Sequence, residues 1–140
     1  MNYEKTLEFV KEKFKDKKDK GGKPYIEHLL TVAEKMESET EKIVALLHDI
    51  VEDIEDISFE TLKKMGYSEE VISAVEAMTK EKGEEYKDYL KRVKANPIAR
   101  KVKLADLEHN MDTSRLNKIT EKDLKRLEKY KFAKQFLEKE

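Results

Sequence analysis

The sequence has 140 residues, with 30 Lys and Arg against 31 Asp and Glu, no Cys, four Gly and two Pro. The charges nearly cancel, which removes any net-charge argument for nucleic acid or anionic membrane, and the missing Cys excludes disulfides, thiolate metal sites and cysteine nucleophiles. Few obligatory chain breaks and 44% charged residues predict a single all-α domain over residues 1–140, with the charge on solvated helix faces.

Residues 3–15 read as an amphipathic helix with Leu7, Val10 and Phe14 on one face. Residues 15–24 follow as a basic, glycine-containing loop that includes Lys17 and Lys18. It reads either as a solvated connector or as a phosphate-facing loop, because lysines and free backbone N–H groups suit anions. A helix over residues 25–37 begins after Pro24; Tyr25, His28, Leu29, Val32, Ala33 and Met36 share its apolar face, so His28 points inward.

The next helix, residues 40–51, is the centre of the chain. Its apolar run is interrupted by His48 and Asp49 and followed by Glu52 and Asp53. On a continuous helix His48 and Glu52 form one stacked pair, and Asp49 and Asp53 another. A helix this apolar is buried, and burying an imidazole and carboxylates is costly unless they are paired or hold a metal.

Ser58 can cap a short helix that ends at Gly66. Ser68, with Glu69 and Glu70, opens another carrying Val71, Val75 and Met78. Residues 85–95 form a charged helix whose Tyr86 and Tyr89 fit core, interface or pocket alike. Asn96-Pro97 breaks and restarts the chain. In the following helix Asp106 sits among Val102, Ala105 and Leu107, with Asn110 one turn on. Asp106 is thus a rim acid or an inward acid with a partner. His109 turns about 100° from Asn110 and reads as structural or surface.

Thr120-Glu121-Lys122-Asp123 is a variant capping box with Asp as its fourth residue. The helix it opens offers Leu124, Leu127, Phe132, Phe136 and Leu137 for apolar contacts. Arg126 and Tyr130, four apart, are surface residues or a pair that acts together. No repeat and no sustained strand alternation is present.

His28, His48, Asp49 and Asp106 are the inward polar residues of three helices. Two imidazoles and two carboxylates suit Mn²⁺, Fe²⁺ or Zn²⁺, and such an ion lowers the pKa of coordinated water. Glu52 and Asp53, one turn beyond, are placed to take and return protons. Lysines nearby make phosphoester hydrolysis the expected chemistry.

The H…HD…D set resembles the HD-domain metal-dependent phosphohydrolases. Three longer motifs carry a narrower likeness: Lys23-Pro24-Tyr25-Ile26-Glu27-His28, Ala45-Leu46-Leu47-His48-Asp49-Ile50-Val51-Glu52-Asp53, and Val102-Lys103-Leu104-Ala105-Asp106-Leu107-Glu108-His109-Asn110-Met111. With Arg126-Leu127-Glu128-Lys129-Tyr130 they resemble, in order, the hydrolase domain of the RelA/SpoT alarmone enzymes. With no synthetase domain following, the likeness is to the small stand-alone alarmone hydrolases.

The resemblance implies an all-α, Mn²⁺-dependent helical bundle that removes the 3′-pyrophosphate of ppGpp and pppGpp, leaving GDP or GTP. It implies His28, His48, Asp49 and Asp106 as metal ligands and Glu52 and Asp53 as catalytic acids. Lys17, Lys18, Asn110, Arg126 and Tyr130 would contact substrate. The chain departs from the family pattern at Lys17 (commonly Arg), Leu29 (usually Pro) and Ile54 (usually Thr), which bears on which nucleotide fits. The alternatives are an HD phosphohydrolase for another nucleotide and a non-catalytic nucleotide-binding protein.

No apolar run approaches the roughly 20 residues of a membrane-spanning helix, and Met-Asn-Tyr-Glu-Lys at the start has no signal-peptide pattern. A cytoplasmic protein is expected, with a small nucleotide as partner and neither a membrane nor a nucleic-acid polymer.

Overall fold

A computed structural model describes residues 1–112, 116 and 118–139. Every regular element among the described residues is helical. The order is α1 (Tyr3–Lys13), α2 (Tyr25–Glu34), α3 (Glu39–Leu47), α4 (Ile50–Asp53), α5 (Phe59–Lys64), α6 (Glu69–Ala77), α7 (Tyr86–Ala95), α8 (Pro97–Asn110) and α9 (Glu121–Glu138). The all-α expectation is met. No helix among the described residues is long and apolar enough to cross a membrane.

The helix starts follow local chemistry. Ser38, Ser58, Ser68 and Thr120 each accept a backbone N–H in the first turn that follows, satisfying one of the donors a helix start leaves open. The Thr120 box closes with Asp123, as its spacing predicts. At the end of α5, Gly66 takes φ +99° and Tyr67 N–H donates to the Leu62 carbonyl at 3.2 Å. Only glycine adopts that φ without strain.

α3 lies innermost. Ile43, Val44, Ala45, Leu46 and Leu47 are all buried, so the second half of the helix is apolar all round, and α3 packs against α1, α2, α6 and α8. Each Leu or Ile so buried contributes about 1.5–3 kcal/mol. α9 lies against α7 and α8 through Ala133 and Leu137. Leu127 and Phe136 are half-buried there; Phe132 is 48% exposed but meets the Phe136 ring with centroids 6.3 Å apart, and Leu124 is 53% exposed.

The central helix is shorter than predicted. It ends at Leu47, and residues 48–49 form a turn before α4. Asp49 has φ −105° and ψ 0°, in the sparsely used bridge region. The Asp53 N–H still donates to the Asp49 carbonyl at 2.9 Å, but the side chains of the two acids of α4 bond outside the expected pairs. Glu52 instead accepts the Lys80 N–H at 2.5 Å, and Asp53 pairs with Lys17 at 2.7 Å.

The basic loop is a folded turn. An isolated antiparallel bridge joins Lys18 to Pro24, and Tyr25 N–H donates to the Lys17 carbonyl at 2.9 Å. Asp19 Oδ1 accepts the N–H groups of Gly21 and Lys23, both at 2.9 Å. These contacts hold Lys17 and Lys18 beside the start of α2.

Candidate metal centre and the adjoining cavity

Three mutually packed helices bring the four predicted ligands together. α2 carries His28 one turn from its start, the turn after α3 carries His48 and Asp49, and α8 carries Asp106 near its end. One donor atom from each lies within 4.8 Å of the others. His28, His48 and Asp106 are buried and Asp49 is half-buried.

Asp106 Oδ1 faces His28 Nε2 at 2.8 Å and His48 Nε2 at 3.3 Å. Asp49 Oδ2 lies 3.2 Å from the same His48 nitrogen and accepts the Tyr25 hydroxyl proton. Lys103 donates to Asp106 Oδ2 at 3.1 Å, and Asn110 donates to Oδ1 at 3.1 Å. His48 Nδ1 donates to the Ala45 carbonyl at 2.6 Å. A carbonyl only accepts, so the Nδ1 proton is fixed and Nε2 is the ring nitrogen turned to the two carboxylates.

The electrostatics match a cation site. Burial by itself would lower the His48 pKa, but the Asp49 and Asp106 carboxylates outweigh it and hold the imidazole well above its ordinary value. Burial would raise Asp49 and Asp106; the His48 imidazole lowers the first, and Lys103 with the two imidazoles lowers the second. Two carboxylates beside two imidazoles, converging in a mostly buried space, fit a divalent cation of borderline hardness. Desolvation raises the Glu52 pKa, with the Lys80 N–H opposing.

A cavity of about 220 Å³ adjoins the centre at His28 and Tyr25. All five predicted substrate contacts, Lys17, Lys18, Asn110, Arg126 and Tyr130, line it. Lys17 stands 4.5 Å above the Tyr25 ring and bridges to Asp53. Arg126 is held by Asp123. Glu52 and Asp53 are not among the lining residues; Lys17 joins the cavity to the Asp53 carboxylate.

Three contributors were not assigned from the sequence. Tyr25 reads there as apolar, yet its hydroxyl donates to the Asp49 carboxylate. Lys103 lies three residues before Asp106 on the same helix face, the spacing of a side-chain pair. His109, read as structural or surface, is half-buried with its Nδ1 2.7 Å from His28 Nδ1. Measured from Asp106 rather than Asn110, it is three residues on and only about 60° off the strip, which is the signal the sequence holds. Of the two undecided tyrosines, Tyr89 is buried and donates to the Met78 carbonyl at 2.9 Å. Tyr86 is half-buried beside it, with ring centroids 5.9 Å apart.

Fold and site together define a helical domain that gathers one His, a His-Asp pair and a distant Asp at a single centre. The chain belongs to the HD-domain family, whose profile, described as HD domain, matches residues 25–111. It is also similar to a protein of Aquifex aeolicus (strain VF5) named guanosine-3′,5′-bis(diphosphate) 3′-pyrophosphohydrolase. The two are 37% identical over 123 residues, covering 79% of this chain and 17% of that relative.

Proposed function

We propose that this chain is a metal-dependent (p)ppGpp hydrolase that removes the 3′-pyrophosphate, with Mn²⁺ as its resident ion. The observation that carries the reading is the adjacency of the four-donor centre to a cavity lined by cationic and hydrogen-bonding side chains. The name of the Aquifex relative supplies the substrate class.

His28, His48, Asp49 and Asp106 would hold the ion. When bound, such an ion supplies Lewis-acid activation of water and of a phosphoryl oxygen. The protein's own residues do the rest. Lys17, Lys18 and Arg126 attract and orient the phosphates. Asn110 and Tyr130 offer hydrogen bonds from the cavity wall. Glu52, its carboxyl pKa raised, takes a proton from the attacking water. The proton taken by Glu52 is released to solvent, and Asp53, once substrate phosphate competes for Lys17, takes up one in exchange and passes it to the departing 3′ oxygen. One water is consumed; GDP or GTP and pyrophosphate are released. The cavity is below the roughly 300–1,000 Å³ of typical ligand pockets, so a nucleotide with its phosphates would extend from it toward the centre. A small nucleotide as partner and a cytoplasmic location belong to the same reading.

The test is hydrolysis of ppGpp with added Mn²⁺, following GDP and pyrophosphate, with Asp49→Ala as control. Turnover that disappears in the variant is expected. Cleavage of other nucleotides with none of ppGpp would retain an HD phosphohydrolase and replace its substrate. A protein without turnover that still binds nucleotides would be a binding module.

A further inference from the structure

We infer that His109 is a positioning residue for the metal centre, accepting the Nδ1 proton of His28 so that His28 Nε2 presents its lone pair to the ion. This rests on the reading that the centre holds a divalent cation.

The two ligand imidazoles are secured differently. His48 gives its Nδ1 proton to the Ala45 carbonyl, a group that can only accept. That single contact fixes its tautomer. His28 has no carbonyl in that role. Its Nδ1 faces another imidazole nitrogen, His109 Nδ1, at 2.7 Å, with the ring planes 16° apart and the centroids 4.9 Å apart. A neutral imidazole carries one proton. For Nε2 of His28 to coordinate, that proton must lie on Nδ1, and His109 must then accept, its own proton on Nε2. With the opposite polarity His28 Nε2 carries the proton and donates to Asp106 Oδ1, 2.8 Å away. The His28–His109 contact therefore decides whether this ligand is available.

The placement of His109 supports the role. It lies three residues after Asp106 on α8, so one helix supplies both a ligand and the group that orients a ligand on α2. The 2.7 Å contact fixes the Nδ1 side of the His28 ring, and the ring so placed puts Nε2 2.8 Å from Asp106 Oδ1, beside the second donor of the centre. Partners of this kind are worth roughly ten- to a hundred-fold in metal affinity.

The experiment titrates Mn²⁺ calorimetrically into the whole chain and two variants. H109N keeps an acceptor oxygen near the position of Nδ1, whereas H109F keeps an aromatic ring and removes the acceptor. H109F is expected to weaken Mn²⁺ binding about ten-fold or more, H109N to recover most of that loss, and all three proteins to melt alike in chelator. Wild-type affinity in H109F, or H109N no better than H109F, would overturn the role. In the Zn²⁺-loaded wild-type protein, ¹⁵N imidazole spectra should place the His28 proton on Nδ1; a proton on Nε2 would overturn it without any variant. A wild-type protein that takes up neither ion would remove the metal reading itself, and this inference with it.

Discussion

The floor of the site and its rim are built on opposite terms. At the floor, His28, His48 and Asp106 are buried, and each polar atom described there has a defined partner: a carbonyl, a second imidazole, a lysine, an amide. At the rim, Lys18 is exposed, and Lys17 and Arg126 are partly so, held mainly by ion pairs with nearby acids. Buried polar groups tolerate little change, because a lost partner leaves a desolvated group unsatisfied. Exposed ion pairs contribute little each and exchange partners readily. Of the departures from the alarmone-hydrolase pattern, Lys17 stands at the rim, Leu29 is buried beside His28, and Ile54 follows Asp53, while the four donors and both acids are intact. Under the proposed function, substrate preference would change more readily at the rim than at the floor.

That contrast makes ordered predictions. The largest effect belongs to a ligand. Asp49→Ala should lose more than about a hundred-fold in Mn²⁺ affinity, beyond what the ligands' outer partners confer, and turnover should fall with it; calorimetry beside an activity assay reads both. Glu52→Gln comes next. It should bind Mn²⁺ as the parent does while kcat falls roughly 10²- to 10⁴-fold, the usual worth of a positioned acid or base. Undiminished kcat in that variant would take the proton-transfer role away from Glu52.

Metal removal should show the floor as a staple between α2, α3 and α8. At a free Mn²⁺ concentration of about 100 Kd the ion adds roughly 2.7 kcal/mol to folding stability, so a chelator should lower the melting temperature. An unchanged melt would mean that the three helices are held without it. The smallest effect lies at the rim: Lys17→Ala should raise KM about ten-fold, the scale of one charge-assisted hydrogen bond, with Mn²⁺ affinity unaltered. A loss of metal binding there would erase the distinction between rim and floor.

Most helix starts and the convergence of four inward donors can be read from local pattern alone. Caps at Ser58, Ser68 and Thr120 act within one turn of their own chain, so they are legible without a fold. A His-Asp pair inside an apolar run is equally legible, because burial demands a partner for it. Tertiary structure decided what depends on a neighbour from elsewhere. It placed the turn at His48–Asp49, where a continuous helix was expected, and gave Glu52 and Asp53 to Lys80 and Lys17. It left Leu124 and Phe132 exposed on α9. It also set His109 against His28, 81 residues apart in sequence, a contact that helical spacing can suggest on one side but that only the packing of α2 on α8 can make.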